Sequence, residues 1–213
     1  MSSIKYAWGF TLIEVLVITS VVALLSGFLI TSFSRTRIDL NHTITTLVAE
    51  IRDTQNRAVA SSTFRHSSEG LSGPVARCGY GVTPGTATEF YVYAGANAEN
   101  QVTNCSTESR TYGDPPDKIV RTVNLPDPKV ELKQAVTGFF PRYFYDVFYE
   151  PPDPKTFIDN DATPGNPPAV IVVGPTGVDC EVTPSQCKSI CLYISGKIET
   201  PTTLGFPYEN SCP

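Results

Sequence analysis

The chain has 213 residues, with 16 lysines and arginines against 21 aspartates and glutamates, a net charge of −5. That acidic balance excludes a broad electrostatic footprint for nucleic acid. The two histidines, His42 and His66, leave little from which to build a Ser-His or Cys-His catalytic centre, and the chain reads as a non-enzyme without cofactor or metal.

The first nine residues form a short polar head with Lys5 as its single cation. From Phe10 to Phe33 the chain is apolar and Glu14 is the only charged residue. At about 1.5 Å per residue a helix of this length spans the ~30 Å hydrocarbon core of a bilayer. A charge inside such a run costs roughly 2.5–3.5 kcal/mol, which marks Glu14 as functional. A secretory signal has a shorter apolar core and a small residue after it; here the run is longer and Gly9 precedes it. Beyond Arg37, apolar residues recur at Leu40, Ile44, Leu47, Val48, Ile51, Ala58 and Val59, with Asp39, Glu50, Arg52, Asp53 and Arg57 between them. Steps of three and four predict an amphipathic continuation. The expected helix therefore covers 10–62, about 80 Å, apolar all round over 10–33 and striped thereafter. Gly27 interrupts it at a cost of about 1 kcal/mol relative to alanine.

After residue 63 short runs rich in Val, Ile, Tyr and Phe, punctuated by Gly, Pro, Asn and Asp, predict strands at 79–83, 89–94, 118–125, 129–133, 143–149, 169–173, 189–194 and 197–200. Ser195-Gly196 is a candidate hairpin turn for the last two. Segments 95–116 and 151–168 are polar and turn-forming, and are expected on the surface. No repeat or linker divides 63–213, which is long enough for one β-rich domain.

Six cysteines, Cys78, Cys105, Cys180, Cys187, Cys191 and Cys212, all follow the helix. No Cys-x-x-Cys pair exists, so a zinc site is not supported. Six cysteines allow fifteen pairings. Proximity favours Cys78–Cys105, Cys180–Cys187 and Cys191–Cys212, and disulfides imply an oxidising location. Other candidates read as ordinary structure. Gly174-Pro175-Thr176-Gly177 lacks a P-loop ending, and Asp159 with Asp161 reads as an exposed acidic turn rather than a calcium loop. Arg65 with Arg77 and Lys118 with Arg121 read as dispersed surface charge, and the aromatics of 139–149 as core.

The string Gly9-Phe10-Thr11-Leu12-Ile13-Glu14-Val15-Leu16-Val17 resembles the prepilin segment of type IV pilins and type II secretion pseudopilins. Trp8 stands where that family commonly has a basic residue. The resemblance implies cleavage between Gly9 and Phe10 by a prepilin peptidase, N-methylation of Phe10, and pairing of Glu14 with the Phe10 amine of the next subunit. The order of helix then meander, with segments 78–82, 145–154 and 188–198, resembles the H-like or FimT-like minor pilins. The implied fold is α+β: a 1–9 leader, then a long 10–62 helix with a transmembrane half and an amphipathic half. That helix packs against a small antiparallel β-sheet head, 63–213. The implied function is a structural subunit of a type IV pilus or type II secretion-like filament. Its partners would be other pilin subunits, the prepilin peptidase, an inner-membrane assembly platform and membrane lipid before assembly. The implied location is a single-pass inner-membrane protein with its head outside the cytoplasm, extracellular or periplasmic once assembled. Two alternatives stand beside it: a DNA-receptor minor pilin, and a membrane-anchored extracytoplasmic binding protein that does not polymerise.

Overall fold

The computed structural model describes residues 11–60, 62–65, 73–96, 105, 109–113, 117–135, 142–151, 155–201, 204 and 212, with side chains 29–38 left aside. Gly9 and Phe10, the expected cleavage pair, and His66 lie outside the described residues. Among the described residues one α-helix, α1, runs Leu12–Val59, and eleven strands follow it: β1 Thr63–Phe64, β2 Val75–Ala76, β3 Tyr80–Thr86, β4 Glu89–Ala94, β5 Lys118–Asn124, β6 Val130–Lys133, β7 Val147–Glu150, β8 Lys155–Ile158, β9 Ala169–Pro175, β10 Lys188–Leu192 and β11 Ile198–Glu199. A 3-10 turn at Pro184–Gln186 precedes β10. The strands form three sheets, ordered β1-β2, β11-β10-β9-β6 and β5-β4-β3-β7-β8, and every pairing is antiparallel.

Local chemistry explains the turns. Asp159 and Asn160 hold φ of 48° and 68° between Ile158 and Asp161, which exchange backbone bonds of 2.8 and 3.0 Å. Two left-handed residues in succession make the primed turn whose twist matches flanking strands, and Asp and Asn tolerate it best after glycine. The β10–β11 hairpin closes with Tyr193 N–H on Lys197 O at 3.0 Å and Gly196 N–H on Tyr193 O at 2.8 Å. Ile194 and Ser195 occupy the bend, and Gly196 takes the left-handed position, φ 78°, as three-residue hairpin loops require.

The chain divides into two compact units, Met1–Ile38 and Asp39–Pro213. Within the second, α1 buries Leu40, Ile44, Leu47, Ile51 and Ala58 against Tyr80, Val82, Val92, Val147, Ile171, Val173 and Ile190. Full burial of a residue such as Leu47 or Ile51 contributes about 1.5–3 kcal/mol. Thr43 and Thr54 lie on the same stripe, fully buried, and donate their hydroxyls to the carbonyls of Asp39 and Glu50 at 2.9 Å each. On the rim, Arg121 of β5 pairs with Glu50 and with Asp53, the latter at 2.9 Å. Gln55 donates to Gly196 O at 3.2 Å and Lys188 to Asn41 at 2.6 Å.

Two expectations are corrected. The sheet component is not one small sheet under a long helix: among the described residues the strands form three antiparallel sheets, of two, four and five strands. The continuous run Ala169–Val173 is apolar on both faces because both are covered, which makes β9 the middle of a second sheet. The segment read as a surface loop, 151–168, contributes edge strand β8. Second, no helix among the described residues is long and apolar enough to cross a membrane. The transmembrane half and the single-pass location fall with that finding.

Candidate functional site

Thr11 opens α1. Its carbonyl accepts the amides of Glu14 at 3.0 Å and Val15 at 3.2 Å, and its hydroxyl accepts Glu14 N–H at 3.4 Å. Thr-x-x-Glu is the spacing of a capping box, and an acid in the first turn also meets the positive end of the helix dipole. Sequence reasoning missed this local role for Thr11 and Glu14, although the spacing announces it. Glu14 is exposed, and among the described residues no cation pairs with it.

Downstream, Leu12, Ile13, Val15, Leu16, Val17, Ile18, Val21, Val22, Leu24, Leu25 and Phe28 are all exposed, from 48% at Val21 to 85% at Leu12. Consecutive positions lie 100° apart on a helix, so residues such as Leu16-Val17-Ile18 place apolar surface on every side. Thr19 and Ser20 donate to the carbonyls of Leu16 and Val17 at 3.0 and 2.8 Å. Their polar atoms are thus met within the helix, and what faces outward is hydrocarbon. Beyond its own chain neighbours and the adjoining helix backbone, nothing described lies within 4 Å of where a Cβ on Gly27 would stand.

The cysteines pair as Cys78–Cys105, Cys180–Cys187 and Cys191–Cys212, first with second, third with fourth and fifth with sixth along the chain. Two of the four basic residues considered for nucleic acid, Arg77 and Arg121, are engaged elsewhere. Arg77 is buried, donating to Phe64 O from Nε and Nη2 at 3.2 and 3.0 Å, with its guanidinium 5.6 Å from the Phe64 ring. Arg121 is held by two carboxylates of α1; Arg65 is exposed and Lys118 half-buried. Asp161 accepts both the amide and the hydroxyl of Thr163, which draw its carboxyl below the ordinary range, while Asp159 faces Arg142. No group of three or more potential metal ligands occurs among the described residues. Of the aromatics in 139–149 that are described, Phe144, Phe148 and Tyr149 are core and Tyr143 and Tyr145 pack against it. Asp146 is buried, and burial pushes its carboxyl up against the opposing bonds from Thr83 and Tyr112.

No family model, curated protein or solved structure matches the chain.

Proposed function

We propose that this chain is the structural subunit of a pilin-like filament, assembled by packing its Leu12–Phe28 helical segment among the same segments of other copies. The observation that carries the reading is the all-round exposure of apolar side chains there. A helix with one partner needs one apolar stripe, as in a coiled coil; apolar surface on every side calls for several neighbours at once. Gly27, open to close approach, suits such a bundle. The resemblance of Gly9–Val17 adds a peptidase that cuts after Gly9 and exposes the Phe10 amine. That amine, on a neighbouring copy, is the counter-charge for Glu14 when both enter an apolar bundle, where each alone is costly.

Mass spectrometry of the chain recovered from its native cell tests the processing: a start at Phe10, N-methylated, is expected. Sedimentation and negative-stain microscopy test assembly. Filaments that lose Glu14→Ala subunits but retain Glu14→Gln no better would support charge pairing. A chain that stays monomeric with residues 1–9 attached refutes the reading.

A further inference from the structure

Each of the two larger sheets has two apolar faces, and the two faces are closed differently. The inner faces join α1 in a core that contains no cysteine. The outer face of the five-stranded sheet gathers Tyr93, Phe148 and Phe157 beneath Tyr112 and Ala162. Residues 109–113 lie across it, latched by side chains. Arg110 donates from Nε and Nη2 to Glu150 at 3.1 and 2.9 Å, and its guanidinium sits 4.2 Å from the Phe157 ring. Tyr93 OH donates to Arg110 O at 2.8 Å, and Tyr112 N–H donates to Asp146 at 2.9 Å. Cys105, just upstream, is tied to Cys78 beside β3.

The outer face of the four-stranded sheet shows Val170 and Val172, covered by Cys180, Cys187, Ala135, Val178, Leu204 and Cys212. Gly174 leaves room for that cover: a Cβ there would stand 2.6 Å from Cys187 Sγ and 2.8 Å from Cys180 Sγ. Cys191, opposite Val170 in the ladder, carries the bridge to Cys212. The covers are irregular chain, and each is tethered by a disulfide.

We propose that the three disulfides are clasps for the outer faces rather than struts of the inner core, so that the chain's oxidation state sets how much apolar sheet it shows. Closing a clasp converts two thiols into a disulfide. The two protons and two electrons pass to the disulfide of an exchange partner, which becomes a dithiol; an added dithiol runs the reaction backwards. The reduced chain keeps its helix-on-sheet core and shows loosened covers; the oxidised chain is sealed. The inference stands whether or not the chain forms filaments.

The test treats the full-length oxidised chain with dithiothreitol under native conditions. Three measurements follow: far-ultraviolet circular dichroism, anilinonaphthalene sulfonate emission above the oxidised baseline, and tryptic cleavage after Arg110. The expected result is retained dichroism, increased dye emission and roughly ten-fold faster cleavage, since Arg110 is cut only when its strap lifts. C78S/C105S alone should free the Arg110 site without reductant, while C191S/C212S should raise dye emission with Arg110 still protected. Loss of helical dichroism on reduction would show that the disulfides hold the core, and unchanged emission and cleavage would show that the covers stand without them. Either result overturns the proposal, and the reduction arm remains decisive if a serine variant does not fold.

Discussion

The two described stretches of α1, Leu12–Phe28 and the turns from Leu40 to Ala58, solve the same problem with different partners. From Leu40 to Ala58 the partner is in the chain. An apolar stripe suffices, its opposite side is charged, and even the hydroxyls of Thr43 and Thr54 are spent on their own helix. From Leu12 to Leu25 the large apolar side chains are exposed, and the apolar surface runs all the way round. Pattern width therefore reports where the partner is: one stripe for one surface, a full ring for several. An apolar ring left in water is an invitation to associate.

The largest effect should come from a charge on the ring. Leu24→Asp places an unpaired carboxylate in the proposed bundle, a cost of about 3–5 kcal/mol for the buried charge. Assembly should fall below detection by sedimentation while the thermal transition of the β-rich part stays where it was. An unchanged sedimentation profile would mean that the ring meets no copy. On the other stretch, Ile51→Ala removes a fully buried side chain and should cost about 2–5 kcal/mol of folding stability in urea titrations. Assembly is then reduced only through unfolding. If both substitutions behave alike, the distinction drawn along α1 is false.

The rim of the buried stretch supplies a smaller effect with a pH signature. Arg121 joins Glu50 and Asp53 across the helix–sheet junction. Arg57, first, and then Arg121 hold the Asp53 carboxyl below its ordinary value against a partial desolvation cost. A lowered carboxyl contributes stability that is present above its unfolded value and lost as pH falls through the folded one. Asp53 is half-exposed, so solvent screening limits Arg121→Ala to about 1 kcal/mol at neutral pH. The difference from the parent chain should fade below about pH 4. A gap that persists at pH 2 would assign the loss to packing of the arginine stem.

How far the sequence announced these features depends on whether the deciding contact is local. The ring and the stripe of α1 were visible as patterns of one helix. So were β4 and the core of β9, as β-branched and aromatic runs. The disulfide pairing followed chain proximity because each pair closes a cover near its own anchor. Edge strand β8 was hidden: Lys155–Ile158 is four residues between a proline-rich stretch and Asp-Asn-Asp, and only pairing with β7 makes it a strand. The burial of Arg77 was not legible either. It depends on Phe64 O and Gly95 O arriving from two other segments, so a charge that looked like surface is interior. At the candidate site the Gly9–Val17 string is legible, whereas the Thr11 cap beside it is marked only by the Thr-x-x-Glu spacing, which a lone charge in an apolar run overshadows.

The finest comparison uses one substitution at two places. Thr19 donates its hydroxyl to Leu16 O at 3.0 Å on the exposed ring, and Thr54 to Glu50 O at 2.9 Å in the buried stripe. Valine has nearly the shape of threonine, so each exchange removes one hydroxyl and its bond to a carbonyl. At Thr54 that bond lies inside a fixed core, and Thr54→Val should cost up to about 1 kcal/mol in denaturant titration. At Thr19 the folded subunit gains nothing from the bond that water would not supply, so Thr19→Val should leave the monomer's stability unchanged. Its effect should surface only on assembly, as filaments that form at equal or lower subunit concentration, because the hydroxyl no longer has to be taken out of water. Destabilisation of the monomer by Thr19→Val would show that this face is already covered within a single chain, and the ring would lose its claim to outside partners.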